Sequence, residues 1–190
     1  MYRVLKNPIG QPYEMVKDTV FNQKFEWVWQ RSSTQKESAE STYRGEHRLH
    51  TDAPFYNHIL LQRPEYQLYP EVQSKHCNLF VDCLEEIIDA NKSVIPFHHQ
   101  DHMWTRMSVN ATHPNTGIQY SMPHIDHRFP HYNMLIYLND CDGETFIGDK
   151  CVEPEEDKVI VFEGNHHMRL PTSGRRVILI ATLINYAGNI

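Results

Sequence analysis

From Met103 onward the chain is a succession of short apolar or alternating runs: Trp104 to Ala111, Tyr132 to Leu138, Glu144 to Ile147, Lys158 to Phe162 and Val177 to Ile184. Clusters of Pro, Gly, Asn and Asp separate them at short, irregular intervals. Runs of four to eight residues rich in Val, Ile, Phe and Tyr, bounded by such turn formers, read as strands. That many short strands must bury their apolar sides against one another, and a sandwich or jelly roll is the architecture that does so. No internal repeat and no low-complexity tract competes with this reading.

The first half reads as a flank to that core. Phe25 to Gln30 mixes aromatic and β-branched residues in rough alternation, and Phe55 to Leu61 is a second strand candidate closed by Arg63-Pro64. Ser32 to Thr42 is polar without apolar periodicity and reads as a loop. Pro70 to Asn91 is the clearest helix: Val72, His76, Leu79, Phe80, Cys83, Leu84, Ile87 and Ile88 share a stripe, with Glu85, Glu86 and Asp89 outside it. Pro70 suits a helix start and Asn91 a helix end. A helix apolar on one side needs a partner surface, and the outside of the larger sheet is the expected one. The expected organisation is a single domain over 1–190, with 1–102 supplying strands, loop and supporting helix and 103–186 forming the core.

The 190 residues suffice for one sizeable core, and 40% hydrophobic residues is ordinary for a globular chain. No apolar run reaches the roughly 18 to 20 residues that span a bilayer. The amino terminus lacks the apolar region of a signal peptide, so a cytoplasmic location is expected. Cys77, Cys83, Cys141 and Cys151 show no zinc-type spacing and read as free thiols. A net charge of −6, with only short basic groups such as Arg175-Arg176, argues against nucleic acid as a partner. Thirteen histidines are the compositional oddity that needs an account.

Met122-Pro123-His124-Ile125-Asp126 supplies one. In an extended segment residues i and i+2 point to the same side, so His124 and Asp126 present an imidazole and a carboxylate together. Far along the chain the strong strand Lys158 to Phe162 runs into a turn, Glu163-Gly164-Asn165, and then His166-His167. Two histidines and a carboxylate on one face with open positions opposite is the arrangement of non-heme iron(II) sites. Arg176 then opens an otherwise apolar strand, where a guanidinium is costly unless it meets an anion, and a bidentate carboxylate is a natural one.

Over Met103 to Leu183 the chain resembles the prolyl-4-hydroxylase-like branch of the 2-oxoglutarate/iron(II) oxygenases. The resemblance is carried by Pro123-His124-Ile125-Asp126, Tyr137-Leu138-Asn139, Gly143-Glu144-Thr145, the strand end Val161-Phe162, and His167 followed by Pro171 and Arg176. It implies a double-stranded β-helix, that is, a jelly roll of two facing sheets. It further implies that His124, Asp126 and His167 bind iron(II), that Arg176 pairs with the distal carboxylate of 2-oxoglutarate, that Tyr137 hydrogen-bonds the same carboxylate, and that Asn110 lies at the cosubstrate or product side of the pocket. The doublets His166-His167 and Arg175-Arg176 each allow a one-residue shift. The pairing of His167 with Arg176 is preferred because it sets Pro171 and Arg176 at the family offsets together.

The activity implied is a dioxygenase that uses O2 and 2-oxoglutarate to hydroxylate an unactivated C–H of a peptidyl, including prolyl, or small-molecule substrate, releasing succinate and CO2. Two rivals keep parts of the pattern. A cupin-like metal-binding jelly roll would retain the histidines without using Arg176. A nucleic-acid demethylase of the alkylation-repair type would need a basic, aromatic-lined groove. His98-His99-Gln100-Asp101-His102 offers histidines and a carboxylate close enough in sequence for a second metal site, but without a partner cluster it reads as a solvated loop, and His113, His127 and His131 flank the site motif.

Overall fold

Eight strands build one antiparallel sheet, in the computed structural model, in the order β1-β11-β8-β13-β6-β4-β2, with β5 paired to β4. These are β1 (Tyr2–Leu5), β2 (Val28–Gln30), β4 (Phe55–Gln62), β5 (Glu71–Val72), β6 (His102–Thr112), β8 (Tyr132–Tyr137), β11 (Val159–Phe162) and β13 (Arg176–Asn185). A smaller sheet orders β10 (Lys150–Val152), β9 (Thr145–Ile147) and β12 (His166–Met168), and β3 (His50–Thr51) pairs with β7 (Tyr120–Ser121). Bridges from Tyr120 to Arg169 and from His124 to His166 tie the β7 segment to β12. The structure describes residues 2–31, 50–51, 53–63 and 69–186. The loop expected over Ser32 to Thr42 lies outside them.

The long strands β6, β8 and β13 are buried on both sides, which explains why they read as nearly continuous apolar runs. One side carries Met107, Val109, Met134, Ile136, Leu179 and Ala181 into a core shared with two helices, α1 (Gln11–Val20) and α2 (Cys77–Ala90). The other carries Leu135, Tyr137, Ile178 and Ile180 against Ile147 and Val152 of the smaller sheet. Two sheets facing across a second core make the jelly roll that the strand pattern implied. The helix takes its expected place on the outside of the large sheet.

Three local readings change. The helix begins at Cys77, not Pro70, because Glu71 and Val72 pair with Gln62 and Leu61 along the edge of β4. Val72 is 60% exposed there, so its place on the helical stripe was coincidental. Ser74 makes the turn instead: its carbonyl accepts the Cys77 N–H at 3.0 Å and its hydroxyl the His76 N–H at 3.2 Å. The second change is α1, which the sequence reading passed over. Its Tyr13, Val16 and Val20 are buried and Pro12 lies in its first turn, a helical signal hidden by surrounding polar residues. The third is β1, four residues at the edge beside β11.

Candidate metal centre

The chain brings His124, Asp126 and His166 together, with one ligand atom from each within 4.8 Å of the others. This corrects the expectation for His167. Strand β12 pairs with β9 so that His166 lies opposite Ile147 and His167 opposite Phe146. Ile147 is buried in the inter-sheet core, whereas Phe146 is only partly buried. Successive strand residues alternate sides, so the His166 ring turns toward Asp126 and the His167 ring leaves on the other side of the strand, although both residues border the cavity. The His167 ring stacks on Phe146 at 4.8 Å and 11° and meets Tyr120 edge-on. Arg176 therefore follows its inward histidine by ten residues rather than nine.

Backbone pairing fixes the two ligating segments to each other. His124 N–H donates to the His166 carbonyl and His166 N–H to the His124 carbonyl, each at 3.0 Å. Both imidazoles are then oriented through Nδ1, which lies 3.0 Å from the Met122 carbonyl in His124 and 3.3 Å from the Gly164 carbonyl in His166. An Nδ1–H donated to a carbonyl leaves the Nε2 lone pair outward, as a metal ligand requires. Gly164 makes this approach in a left-handed conformation, at φ 86°, that a side chain would strain. Burial, then the neighbouring His124, lowers the His166 pKa to about 4, so the ring is neutral and able to coordinate.

Asp126 is 6% exposed. Burial alone would raise its pKa, but the Arg106 guanidinium, with His166, His124 and Arg63 behind it, holds the carboxyl far below the usual range. Its Oδ1 accepts from Arg106 Nη1, and Arg63 Nη1 donates to its backbone carbonyl at 3.1 Å. Its Oδ2 is buried without a hydrogen-bond partner and stands 3.6 Å from His166 Nε2. An orphaned carboxylate oxygen between two free Nε2 edges is the donor set a divalent cation would complete.

Arg176 sits in the same cavity at 2% exposure. Its Nε donates to the Gly143 carbonyl at 2.9 Å, Nη2 to Thr145 Oγ1 at 2.8 Å and Nη1 to Met168 Sδ at 3.4 Å. All three acceptors are neutral, and no carboxylate among the described residues pairs with this buried cation. Gly143 permits the approach, since a Cβ there would stand 2.9 Å from Arg176 Cδ. Arg175, its neighbour, is exposed and lies 5.3 Å over Phe21.

Tyr137 is fully buried behind this group, its hydroxyl 2.6 Å from Thr145 Oγ1 and its ring 5.4 Å beneath the Arg176 guanidinium. It meets the site through Thr145. Asn110 lines the cavity with its Oδ1 unpartnered. Arg106 was missed, although it carries the same signal as Arg176: an arginine inside an apolar strand. The segment 98–102 holds no second cluster among the described residues. His98 pairs with Asp101 at 2.7 Å, and His102 Nε2 bonds Glu85 at 2.9 Å. The four cysteines are free thiols.

No protein-family model matches the chain, and no curated protein matches it. Solved structures do. An oxidoreductase of the 2OG-Fe(II) oxygenase family from Burkholderia pseudomallei is 11% identical and superposes with a TM-score of 0.68, covering 97% of this chain and 86% of that one. The epimerase SnoN from nogalamycin biosynthesis, in complex with Fe3+, α-ketoglutarate and nogalamycin RO, gives 0.53 at 10% identity over 97% and 78% of the two chains. A prolyl hydroxylase from Trichoplax adhaerens, bound to a hypoxia-inducible-factor peptide, gives 0.50 at 15% identity over 98% and 84%. By its architecture, this chain has the double-stranded β-helix fold of the 2-oxoglutarate/iron(II) oxygenases.

Proposed function

We propose that the protein is an iron(II)- and 2-oxoglutarate-dependent oxygenase that hydroxylates an unactivated C–H bond of a small-molecule or peptidyl substrate. The observation that carries this reading is a buried guanidinium, Arg176, bonded among the described residues only to neutral acceptors, in the same cavity as the His124/Asp126/His166 donor set. A cupin-like metal binder has no use for that cation, whereas a dicarboxylate cosubstrate would neutralise it.

His124, Asp126 and His166 would hold iron(II), and the bound metal with 2-oxoglutarate would supply the oxidising chemistry. Substrate R–H, O2 and 2-oxoglutarate would give R–OH, succinate and CO2. The protein's share is orientation and charge. Arg176 and Thr145 would grip the distal carboxylate, with Tyr137 fixing the Thr145 hydroxyl from behind. Leu135, Ile178 and Ile180 give the cavity an apolar floor, and Arg106 holds one oxygen of Asp126 so that the other faces the cluster.

The test is an anaerobic titration of the apo protein with iron(II) and 2-oxoglutarate, read by the visible metal-to-ligand charge-transfer band. A band that requires both additions, is lost in Asp126→Ala and is weakened in Arg176→Ala supports the reading. Iron binding with no band in the wild type would move the cupin-like alternative to first place.

A further inference from the structure

We propose that the substrate is a small organic acid whose carboxylate is held by Arg106, with the reacting C–H close to that acid group. The inference rests on the oxygenase reading above and narrows it.

Arg106 lies in the middle of β6, on the same side as Asn110 and Thr112, and lines the cavity with them. A guanidinium has five N–H donors. Arg106 spends one on Asp126 Oδ1, and among the described residues the other four meet no acceptor. Its side chain is 18% exposed, and its unpaired donors are open to the cavity it lines. Asp126 cannot satisfy it further, because the second carboxylate oxygen belongs to the donor set that faces His166.

Charge points the same way. A divalent metal, a dicarboxylate cosubstrate and Asp126 together carry one net negative charge, against two positive charges on Arg176 and Arg106 lining the same cavity. One guanidinium is left without a counter-charge, in a chain whose overall charge is −6.

Strand register sets the two arginines at different levels of the cavity. Arg176 is the Cα partner of Thr112, and Thr182 that of Arg106, so Arg176 enters at one end of the strand pair and Arg106 from within it. Six residues of strand separate those levels by about 20 Å. An anion gripped by Arg176 would come near Arg106 only with its metal-bound end, and five N–H donors exceed what that end and Asp126 take up, which leaves donors for a second anion. Because Arg106 touches a ligating carboxylate directly, that second anion lies beside the metal cluster. The carbon presented for oxidation is then near the substrate's own acid group. Phe55, Leu135 and Ile180 offer its hydrocarbon part an apolar wall.

The experiment uses the full chain, anaerobic, with iron(II) and 2-oxoglutarate. The probes are straight-chain C4 to C8 acids, arylacetic acids and L-amino acids, each beside its methyl ester, and short peptides with and without Asp or Glu. Binding is read from the perturbed visible band and from ligand-observed NMR on the metal-free protein. At least one acid is expected to bind, its ester roughly tenfold or more weaker, and Arg106→Gln is expected to lose roughly a hundredfold in acid affinity. Arg106→Lys, which keeps the charge over Asp126, is expected to lose less, and it carries the comparison where the Gln variant forms no band. Esters that bind as well as acids, acid affinity unchanged in Arg106→Gln, binding by peptides alone, or no acid bound while the band forms would each overturn the proposal. Absence of the band in the wild type would break the oxygenase reading instead, and the NMR comparison of acids with esters would still decide the role of Arg106.

Discussion

The strands β6, β8 and β13 have two sides that differ as much as two proteins would. The helix side holds Met107, Val109, Met134, Ile136, Leu179 and Ala181, all essentially inaccessible to water, with no polar atom to satisfy. The cavity side holds Arg106, Ser108, Asn110, Asn133, Arg176 and Thr182, interleaved in sequence with the first set. In these three strands the buried side-chain atoms without a hydrogen-bond partner are Ser108 Oγ, Asn110 Oδ1 and both amide atoms of Asn133, and all lie on the cavity side. Stability and chemistry are thus separated by the two-residue period of a strand, not by distance along the chain. The helix side can tolerate the cavity side's unpaired groups because its own burial is free of them.

The largest test of this division is between two adjacent residues. His166→Ala is expected to lower 2-oxoglutarate turnover by about a thousandfold or more, some 4 kcal/mol in barrier, while His167→Ala stays within about tenfold. Succinate release reads both; equal losses would place the boundary wrongly. Next in size is Leu179→Ala on the helix side, expected to cost about 2 to 5 kcal/mol of folding stability, as a substitution that leaves a cavity in a core does. Chemical denaturation with an unchanged m-value would measure it, and a loss under about 1 kcal/mol would show that this side is not the stabilising one.

Asn133→Leu sharpens the contrast in the opposite direction. Its amide is fully buried with neither atom bonded, so an apolar side chain of similar size is expected to be neutral or to stabilise by about 1 kcal/mol. A marked drop in melting temperature would mean that this amide is satisfied in solution.

The smallest effect concerns the seam where the outer helix meets the sheet. Glu85 of α2 accepts from Trp104 Nε1 at 2.7 Å and bonds His102 Nε2 at 2.9 Å. The Glu85 hydrogen bond raises the His102 pKa against the effect of burial. Burial pushes Glu85 up, but His102 and Trp104 outweigh it and lower its pKa. A raised imidazole stabilises fully below its ordinary value of 6.5 and loses this as pH climbs through the folded value. A lowered carboxyl stabilises fully above 4.5 and loses this as pH falls through its depressed value. The pair therefore contributes most between pH 4.5 and 6.5. With Glu85 42% exposed and screened, Glu85→Gln is expected to cost under about 1 kcal/mol there and less on either side. A flat difference across pH would remove the pair from the account.

Much of this was legible without coordinates. The alternation of short apolar runs with turn formers determined a two-sheet β fold, because only strands bury such runs and only a facing layer covers them. His124 and Asp126 were readable as a pair, since an i, i+2 spacing in extended chain admits one geometry. Arg176 was readable because a cation opening an apolar strand demands a counter-group, and the same reasoning would have found Arg106. What the sequence left open was parity. The doublet His166-His167 follows a turn, and a turn can restart a strand on either side. Only the pairing of β12 with β9, which sets His166 opposite Ile147, turned one ring inward and stacked the other on Phe146. The helix start was open for a like reason: whether Glu71 and Val72 extend a helix or pair with β4 depends on an edge that exists only once the sheet has formed. Local periodicity determined which residues share a side; contacts between segments distant in sequence decided which side faces the site.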